Sequence, residues 1–326
     1  MNDMRRPGGS AAWEQSVSCE STRASKSKLT RQLWVLLLPL AGLSLAAQQA
    51  PTPAAPTEPP PVLLAAGDIA RCDLIGGALA TARLLDRLPG TILTLGDNAY
   101  ESGTPEEFAK CYAPTWGRHL ERTRPAPGNH DYHTRHAAGY FAYFGERAGP
   151  PGLGYYSFDL GTWHIVSLNS AIAVGSRSPQ GKWLAGDLAA HPVDCVLAYF
   201  HVPAFSSGPH GTDLNMRDLW RELADAGVDI ALSGHDHHYE RFAPLDAKGR
   251  PNPVHGVRQF VVGTGGGGVY RIKGAAPHSE VRDNSTYGVL QLVLGAGRYE
   301  WTFRAVEGQS FTDSGNSACS PAPAAH

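Results

Sequence analysis

Short apolar runs recur along the middle of the chain, and several of them end in Gly-Asp, Gly-Asn or a single His. Residues 62–66 form a continuous apolar run, which predicts a buried strand, and residues 91–95, Thr-Ile-Leu-Thr-Leu, predict the next strand. Between them, apolar residues at helical spacing over 78–88 predict a helix that Pro89-Gly90 ends. This order predicts a parallel strand pair joined by a right-handed crossover.

The pattern after residue 150 predicts a larger mixed architecture. The expected elements are a hairpin of 155–160 and 163–168, helices at 182–190 and 214–226, and strands at 195–200, 228–232, 259–262, 287–294 and 299–305. Two β-sheets packed face to face with helices outside both would account for this order. We therefore predict an α/β (α+β) fold, a four-layer α/β/β/α sandwich of two mixed sheets, in one domain spanning 62–305 with a C-terminal tail at 306–326.

The N-terminal region has the composition of an export signal. Basic residues precede the apolar run 33–45, and Ala46-Ala47 supply small residues for cleavage. We assign 1–49 to a signal segment and 50–61 to a Pro-rich linker. The run is too short for a stable membrane span, although an uncleaved segment would act as an anchor. The expected location is periplasmic or extracellular.

Net charge argues against one class of partner. The formal charge is −2 and the pI is near 6.7, so electrostatics give no reason to expect nucleic acid. The sequence does not indicate an oligomeric state.

Candidate chemistry lies at the ends of the predicted strands. Polar side chains with metal-binding atoms follow five apolar runs: Asp68, Asp97, Tyr100, Asn129, His201, His235 and His237. Any one of them alone is more typical of a helix cap, a turn or a structural histidine. In open α/β sheets, however, ligands gather beyond the carboxyl ends of strands. Together these side chains supply a full ligand set for two metal ions.

Cysteine positions favour one disulfide. Cys72 follows the first of these segments and Cys111 follows the second, so a bridge between them would hold the loop that carries the candidate ligands. Two free thiols are the alternative. Cys195 lies in an apolar strand and is expected to be a buried thiol.

The order Gly-Asp, Gly-Asp-x-x-Tyr, Gly-Asn-His-Asp, His and Gly-His-x-His resembles the calcineurin-like metallophosphoesterases. Ala70, where most of that family has His, and Tyr100, where most has Asp, resemble the purple acid phosphatase branch. The resemblance implies one metal on Asp68, Asp97, Tyr100 and His237, and a second on Asp97, Asn129, His201 and His235. The first donor set suits Fe³⁺, and the second suits Zn²⁺, Fe²⁺ or Mn²⁺.

The resemblance also implies an activity. We expect phosphomonoester hydrolysis by in-line attack of a hydroxide held by the two metals, with no protein nucleophile. His130 would contact the phosphate or protonate the leaving group, Asp131 would orient His130, and His210 would be a further pocket residue. Phosphodiester or nucleotide hydrolysis on the same site is an alternative, and a non-catalytic secreted binding protein is another.

One glycine-rich segment needs a separate interpretation. Residues 263–268 read Gly-Thr-Gly-Gly-Gly-Gly, which suggests a phosphate-binding loop. The segment lacks the Gly-Lys-Ser/Thr ending and the strand-to-helix context of a P-loop. We therefore predict that its backbone approaches the metal site closely.

Overall fold

The structure is a computed structural model that describes residues 59–272 and 274–320. Its strands are β1 (Val62–Ala66), β2 (Ala70–Arg71), β3 (Thr91–Leu95), β4 (Ala99–Tyr100), β5 (Thr123–Ala126), β6 (Tyr156–Leu160), β7 (Trp163–Ser167), β8 (Cys195–Tyr199), β9 (Ile230–Ser233), β10 (Tyr239–Phe242), β11 (Arg258–Val262), β12 (Ser279–Asp283), β13 (Gly288–Gly295), β14 (Arg298–Ala305) and β15 (Ser314–Ala318). Its α-helices are α1 (Ile75–Leu85), α2 (Pro105–Glu107), α3 (Ala138–Phe144), α4 (Pro179–Ala190) and α5 (Arg217–Asp225).

The strands form two mixed sheets, as predicted. The six-stranded sheet has the order β15-β14-β13-β1-β3-β5, in which β1, β3 and β5 run parallel and the others are antiparallel. The seven-stranded sheet has the order β12-β10-β11-β9-β8-β7-β6, with a parallel centre. A short parallel pair of β2 with β4 makes a third sheet.

Alternation along β8 shows how the layers pack. Leu197 and Tyr199 belong to the core that also contains β1, β3, β13 and α1 residues, whereas Val196 and Ala198 pack with side chains of α4 and α5. Successive residues of a strand point to opposite faces, so one face of the seven-stranded sheet meets the other sheet and its second face is covered by helices. The predicted layered sandwich is confirmed.

Several predicted helices begin at different residues. The helix expected at 182–190 begins at Pro179, because the Ser178 side chain accepts a hydrogen bond from the Gly181 amide and Pro179 occupies the first helical position. The helix expected at 214–226 begins as a 3₁₀ turn and becomes α-helical at Arg217. The predicted strands match within two residues.

The six-stranded sheet continues beyond Ala305, where we expected the domain to end. β15 pairs with β14, and Cys319 forms a disulfide with Cys195 at the start of β8. The expectation of a free thiol at Cys195 is therefore wrong, because the C-terminal segment returns to the sheet. The favoured Cys72–Cys111 bridge is confirmed.

The N-terminal assignments lie almost entirely outside the described residues. The signal segment at 1–49 and residues 50–58 of the linker belong to that part of the chain. Between residues 59 and 320, Lys273 apart, the helices are all too short or too polar to traverse a bilayer.

Candidate metal centre

Strand ends from both sheets meet at one edge of the sandwich. Asp68, Asp97 and Asn129 follow the parallel strands β1, β3 and β5, and His201 and His235 follow β8 and β9. Hydrogen bonds join these ends: the Asp68 amide donates to the Gly96 carbonyl (3.0 Å), and the His235 amide donates to Asp68 Oδ2 (2.9 Å). The second bond connects the two sheets directly.

A first cluster surrounds the Tyr100 hydroxyl. Its oxygen lies 2.8 Å from Asp68 Oδ1, 3.1 Å from Asp97 Oδ2 and 3.0 Å from His237 Nε2. The pairing of β2 with β4 places Tyr100 beside the segment that carries Asp68. One hydroxyl has one proton to donate, so it cannot satisfy two carboxylates and a ring nitrogen together.

A second cluster surrounds His201 Nε2. This atom lies 3.0 Å from Asn129 Oδ1, 3.2 Å from Asp97 Oδ2 and 3.2 Å from His235 Nδ1. His201 Nδ1 donates to the Leu95 carbonyl at 2.8 Å, which in the neutral ring leaves the Nε2 lone pair facing other acceptors. Such a backbone bond is a common way to orient a metal-binding imidazole.

One oxygen belongs to both clusters. Asp97 Oδ2 lies within 3.2 Å of the Tyr100 hydroxyl and of His201 Nε2, whereas Asp97 Oδ1 accepts a hydrogen bond from the His130 amide at 2.8 Å. The structure thus brings all seven predicted ligand side chains together in two groups that share Asp97. The donor atoms of Asp68, Asp97 and His201 fall within 4.8 Å of one another.

Burial makes this convergence costly without a cation. Asp68, Asp97 and His201 are buried, and Tyr100 is almost fully buried. Burial, with the nearby Asp68 and Asp97 carboxylates, raises the pKa of Tyr100 well above its usual value. A phenolate at this position therefore needs compensating positive charge, and the two donor groups fit two metal ions.

The pKa values of His201 and His235 shift in opposite directions in this buried environment. Burial disfavours the charged form of His201, but the Asp97 carboxylate outweighs it and raises the pKa of His201. Burial, together with the neighbouring His201, lowers the pKa of His235 to about 3. A neutral imidazole is the form that binds metal, so His235 is held ready to act as a ligand.

The backbone is strained where ligands are predicted. Asp68, Asp97 and His235 have φ angles of 60°, 51° and 69°, in the left-handed region that non-glycine residues rarely adopt. Each costs on the order of 1–3 kcal/mol and persists only where surrounding structure enforces it. Such strain is typical of functional sites.

The glycine-rich segment approaches the site as predicted. A Cβ added to Gly267 would lie 2.9 Å from Tyr100 Cε2 and 3.0 Å from the Asp68 carbonyl oxygen. The Gly267 amide donates to that carbonyl at 2.7 Å. The segment therefore closes over the first cluster through its backbone, and this prediction is confirmed.

His130 lies at the mouth of the site. Its Nδ1 is 2.7 Å from the Glu101 carbonyl oxygen, and its Nε2 is 4.0 Å from Asp97 Oδ2. Because Nδ1–H donates to the carbonyl, Nε2 faces the cluster. About a quarter of the side chain is exposed, so a ligand can reach it.

Asp131 does not orient His130, contrary to our expectation. Its carboxylate is buried and accepts hydrogen bonds from the Gly128 amide and the Asn98 side chain, both at 2.9 Å. Burial, with the charge of Asp97, raises the pKa of Asp131 to about 7. The 3₁₀ turn that begins at Asp131 directs its side chain inward, so it supports the loop, and Glu101 orients His130.

His210 lies beside the second cluster. Its ring centroid is 4.3 Å from that of His235, and both residues line a cavity of about 530 Å³ with Val202 and residues 211–215. The segment from His210 to Asn215 thus forms one wall of this cavity. Asp236 anchors this loop: its carboxylate accepts hydrogen bonds from the Ser206 hydroxyl and, at 3.2 Å, from the His210 amide.

Two neighbouring aromatic residues were not predicted. Tyr270 stacks on His237 with centroids 3.9 Å apart and rings 6° from parallel, and only its position just after the glycine-rich segment could have indicated this. The His133 ring lies 4.5 Å from that of His130, and its Nδ1 is 2.9 Å from the same Glu101 carbonyl oxygen. The three-residue spacing from His130 was the available signal.

A further histidine cluster lies near the β6–β7 turn. Donor atoms of Asp159, His164 and His191 fall within 4.8 Å of one another. His164 Nδ1 and Nε2 lie 2.8 and 2.9 Å from the carboxylates of Asp159 and Asp187. Both nitrogens are thus already paired, which is typical of a buried ion-pair network.

Comparisons with known proteins agree with this geometry. The family model described as calcineurin-like phosphoesterase matches residues 61–239. The chain is 31% identical over 194 residues to an uncharacterized protein of Mycobacterium tuberculosis, which covers 53% of this chain and 35% of that protein. It is 30% identical over 271 residues to purple acid phosphatase 21 of Arabidopsis thaliana, which covers 73% of this chain and 58% of that protein.

Solved structures show the same fold. The purple acid phosphatase PPD1 from yellow lupin seeds superimposes with a TM-score of 0.62 at 17% identity, over 80% of this chain and 54% of that chain. The chain spans between about a third and three fifths of the length of these curated relatives.

Proposed function

This chain is a calcineurin-like metallophosphoesterase related to the purple acid phosphatases, and on that premise we propose that it is an exported phosphatase that hydrolyses phosphomonoesters. The family implies a binuclear metal site. The main support is the position of Asp97 Oδ2, which lies within 3.2 Å of donor atoms in both clusters. The Asp97 carboxylate would therefore help to hold both ions.

We assign the ligands accordingly. Asp68, Asp97, Tyr100 and His237 would hold one ion, and Asp97, Asn129, His201 and His235 would hold the other. The oxygen-rich first set favours Fe³⁺, and the second favours Zn²⁺, Fe²⁺ or Mn²⁺. When bound, the two ions would supply activation of water at mild pH and neutralisation of charge on the phosphoryl group.

The protein's own side chains would perform the remaining steps. His130 Nε2 faces the cluster from the solvent side, so it can hold a proton at the position where a leaving-group oxygen departs. Glu101 fixes that ring through its carbonyl oxygen, and His210 contributes a second imidazole at the cavity wall. The strained backbone at Asp68 and Asp97 keeps the carboxylates aimed at the centre.

Export is supported by the two disulfides. Cys72–Cys111 and Cys195–Cys319 are typical of proteins in an oxidising compartment. The basic and apolar composition of residues 23–47 is typical of a signal peptide.

The proposal is tested by metal content measured together with turnover. Purified protein should contain two metal ions per chain and hydrolyse an aryl phosphomonoester faster than the corresponding bis-aryl phosphate. Faster cleavage of the diester would favour the phosphodiesterase alternative. Two bound metals without turnover on either substrate would indicate a binding protein on this fold.

An Asp97→Ala variant tests the bridging carboxylate. We expect it to lose bound metal and nearly all turnover, since each ion loses an anionic ligand. A His191→Ala variant is the matched control, because it alters the other histidine cluster and should leave metal content and rate unchanged. One positioned catalytic group alone contributes about 10²-fold or more to the rate. An Asp97→Ala protein that keeps two metals per chain and more than about a tenth of the wild-type rate would therefore contradict the assignment.

A further inference from the structure

Beside the cavity that His210 and His235 line lies a second cavity with a different lining. It has a volume of about 380 Å³, and Thr212 lines both this cavity and the one that contains His210 and His235. The segment after His201 therefore forms the wall of two adjoining spaces.

The second cavity combines an aromatic floor with a basic rim. Phe205 and Trp220 pack edge to face, with centroids 4.9 Å apart, and the rim consists of Arg217, Arg221 and Lys248. All three cationic side chains belong to exposed residues. Among the residues that the structure describes, the lining contains no carboxylate. Its chemistry suits an organic group that carries negative charge.

The three cationic residues belong to two elements that are joined by a hydrogen bond. Arg217 and Arg221 are four residues apart on α5, so they lie on one face of that helix. Lys248 belongs to the 246–250 turn, in which the Asp246 carboxylate accepts hydrogen bonds from the Lys248 amide at 2.8 Å and the Arg250 amide at 2.9 Å. Trp220 Nε1 donates to the Asp246 carbonyl at 2.9 Å, which ties the turn to α5.

The two carboxylates nearest to these cations pair with Arg221 and Arg250. Asp218 pairs with Arg221 at 2.9 Å, and Asp246 pairs with Arg250. Within residues 59–320, Lys273 excepted, Arg217 and Lys248 form no ion pair with a carboxylate. They are therefore available to an anionic ligand.

We propose that this second cavity binds a second phosphate of the substrate, so that the preferred substrates are phosphomonoesters whose alcohol carries another phosphate group. The proposal rests on the proposed phosphatase activity and specifies its substrate class. The scissile phosphate occupies the site of the two clusters, the linking carbon atoms pass Thr212 and contact Phe205, and the distal phosphate meets Arg217 and Lys248.

A series of straight-chain α,ω-diol bisphosphates of increasing length tests whether the second phosphate is bound and how far its site lies from the scissile phosphate. Each bisphosphate is compared with the monophosphate of the same diol. We expect KM for the bisphosphate to fall about tenfold or more below that of its monophosphate at one chain length, since charge-assisted hydrogen bonds to phosphate are strong. The advantage should shrink as salt is raised, because exposed charges are screened.

Variants show whether the cavity is responsible. The double variant Arg217→Ala, Lys248→Ala should abolish the advantage of the bisphosphate and leave kcat and KM for every monophosphate unchanged. Lys182→Ala, which removes an exposed cation from α4, should change neither. The same KM ratio in wild type and double variant, or no advantage at any chain length, would overturn the proposal.

Binding measured by calorimetry tests the second phosphate site independently of turnover. The wild-type protein should bind the best bisphosphate more tightly than its monophosphate, and the double variant should not. If the wild type fails to hydrolyse any monoester yet shows this difference, the proposed function fails and the phosphate subsite stands.

Discussion

At the scale of single residues, the site depends on which atom of each side chain faces the centre. His130 illustrates this, because the Glu101 carbonyl fixes its Nδ1–H and leaves Nε2 toward Asp97. We expect His130→Ala to keep both metals and lose roughly 10²–10⁴-fold in kcat, the usual contribution of a positioned proton donor. The loss should shrink for leaving groups that need little protonation, measured with a series of aryl phosphates.

His133 provides the control for that variant. Its Nδ1 contacts the same carbonyl oxygen, but His133 is an exposed residue, whereas His130 is only partly exposed. His133→Ala should therefore reduce the rate much less. Equal losses for all leaving groups in His130→Ala would indicate phosphate positioning instead of protonation, and loss of metal would make His130 structural.

Tyr100 decides the identity of the first metal. If its oxygen binds Fe³⁺ as a phenolate, the oxidised protein should have a broad visible charge-transfer band. Tyr100→Phe should remove the band and preserve the fold, because the buried ring is retained while Asp68, Asp97 and His237 still hold the ion. A colourless wild type that is active with Mn²⁺ or Zn²⁺ alone, and unaffected by Tyr100→Phe, would contradict the iron–phenolate assignment.

At the scale of elements, residues 235–240 alternate between two tasks. His235 and His237 point to the clusters, whereas the carboxylates of Asp236 and Glu240 hold the loop that contains His210. Glu240 accepts a hydrogen bond from the Ser207 amide at 2.8 Å. A single segment thus supplies donor atoms to both clusters and fixes the opposite wall of the cavity.

This arrangement predicts an effect of Asp236 through His210. We expect Asp236→Ala to retain both metals and to reduce kcat/KM about threefold to tenfold, because the freed loop displaces His210. In a double-mutant cycle, adding Asp236→Ala to His210→Ala should cost little further, since coupled residues are non-additive. Additive losses, or loss of metal in Asp236→Ala alone, would show that Asp236 acts in another way.

The difference between side chains at strand ends and contacts between distant segments explains what could be predicted from sequence. Polar residues with metal-binding atoms can be read directly from the sequence where they follow apolar runs, so the seven side chains that meet here were identifiable. The Glu101 carbonyl and the Asp236 anchor act through backbone atoms and hydrogen bonds between distant segments, which no local pattern encodes. The inward direction of Asp131 was missed for the same reason, because its carboxylate accepts a hydrogen bond from the side chain of Asn98, 33 residues away.

At the scale of the whole molecule, two crosslinks hold opposite ends of the sandwich. Cys72–Cys111 lies next to β2, whose partner β4 contains Tyr100. Cys195 begins β8, and His201 follows the other end of that strand, so Cys195–Cys319 joins the two sheets away from the metal centre. The C-terminal return strand β15 was not predicted, because residues 314–318 are polar and small and form an edge strand that pairs only with β14.

The two disulfides should therefore have separable effects. Replacing both Cys195 and Cys319 by Ser opens a crosslink over 124 residues, which corresponds to about 5 kcal/mol of chain entropy in the simplest treatment. Replacing both Cys72 and Cys111 opens one over 39 residues, which corresponds to about 4 kcal/mol. Both pairs should lower the free energy of unfolding, measured by denaturant titration under metal-saturated conditions.

Metal affinity should distinguish the two pairs, because only one of them restrains the segment that carries Tyr100. We expect the Cys72→Ser, Cys111→Ser protein to bind metal more weakly in competition with a chelator, and the Cys195→Ser, Cys319→Ser protein to match the wild type while it remains folded. The reverse order would mean that the metal centre depends on how the sheets are joined at their far end. In that case the local pairing of β2 with β4 would not be what holds Tyr100 in place.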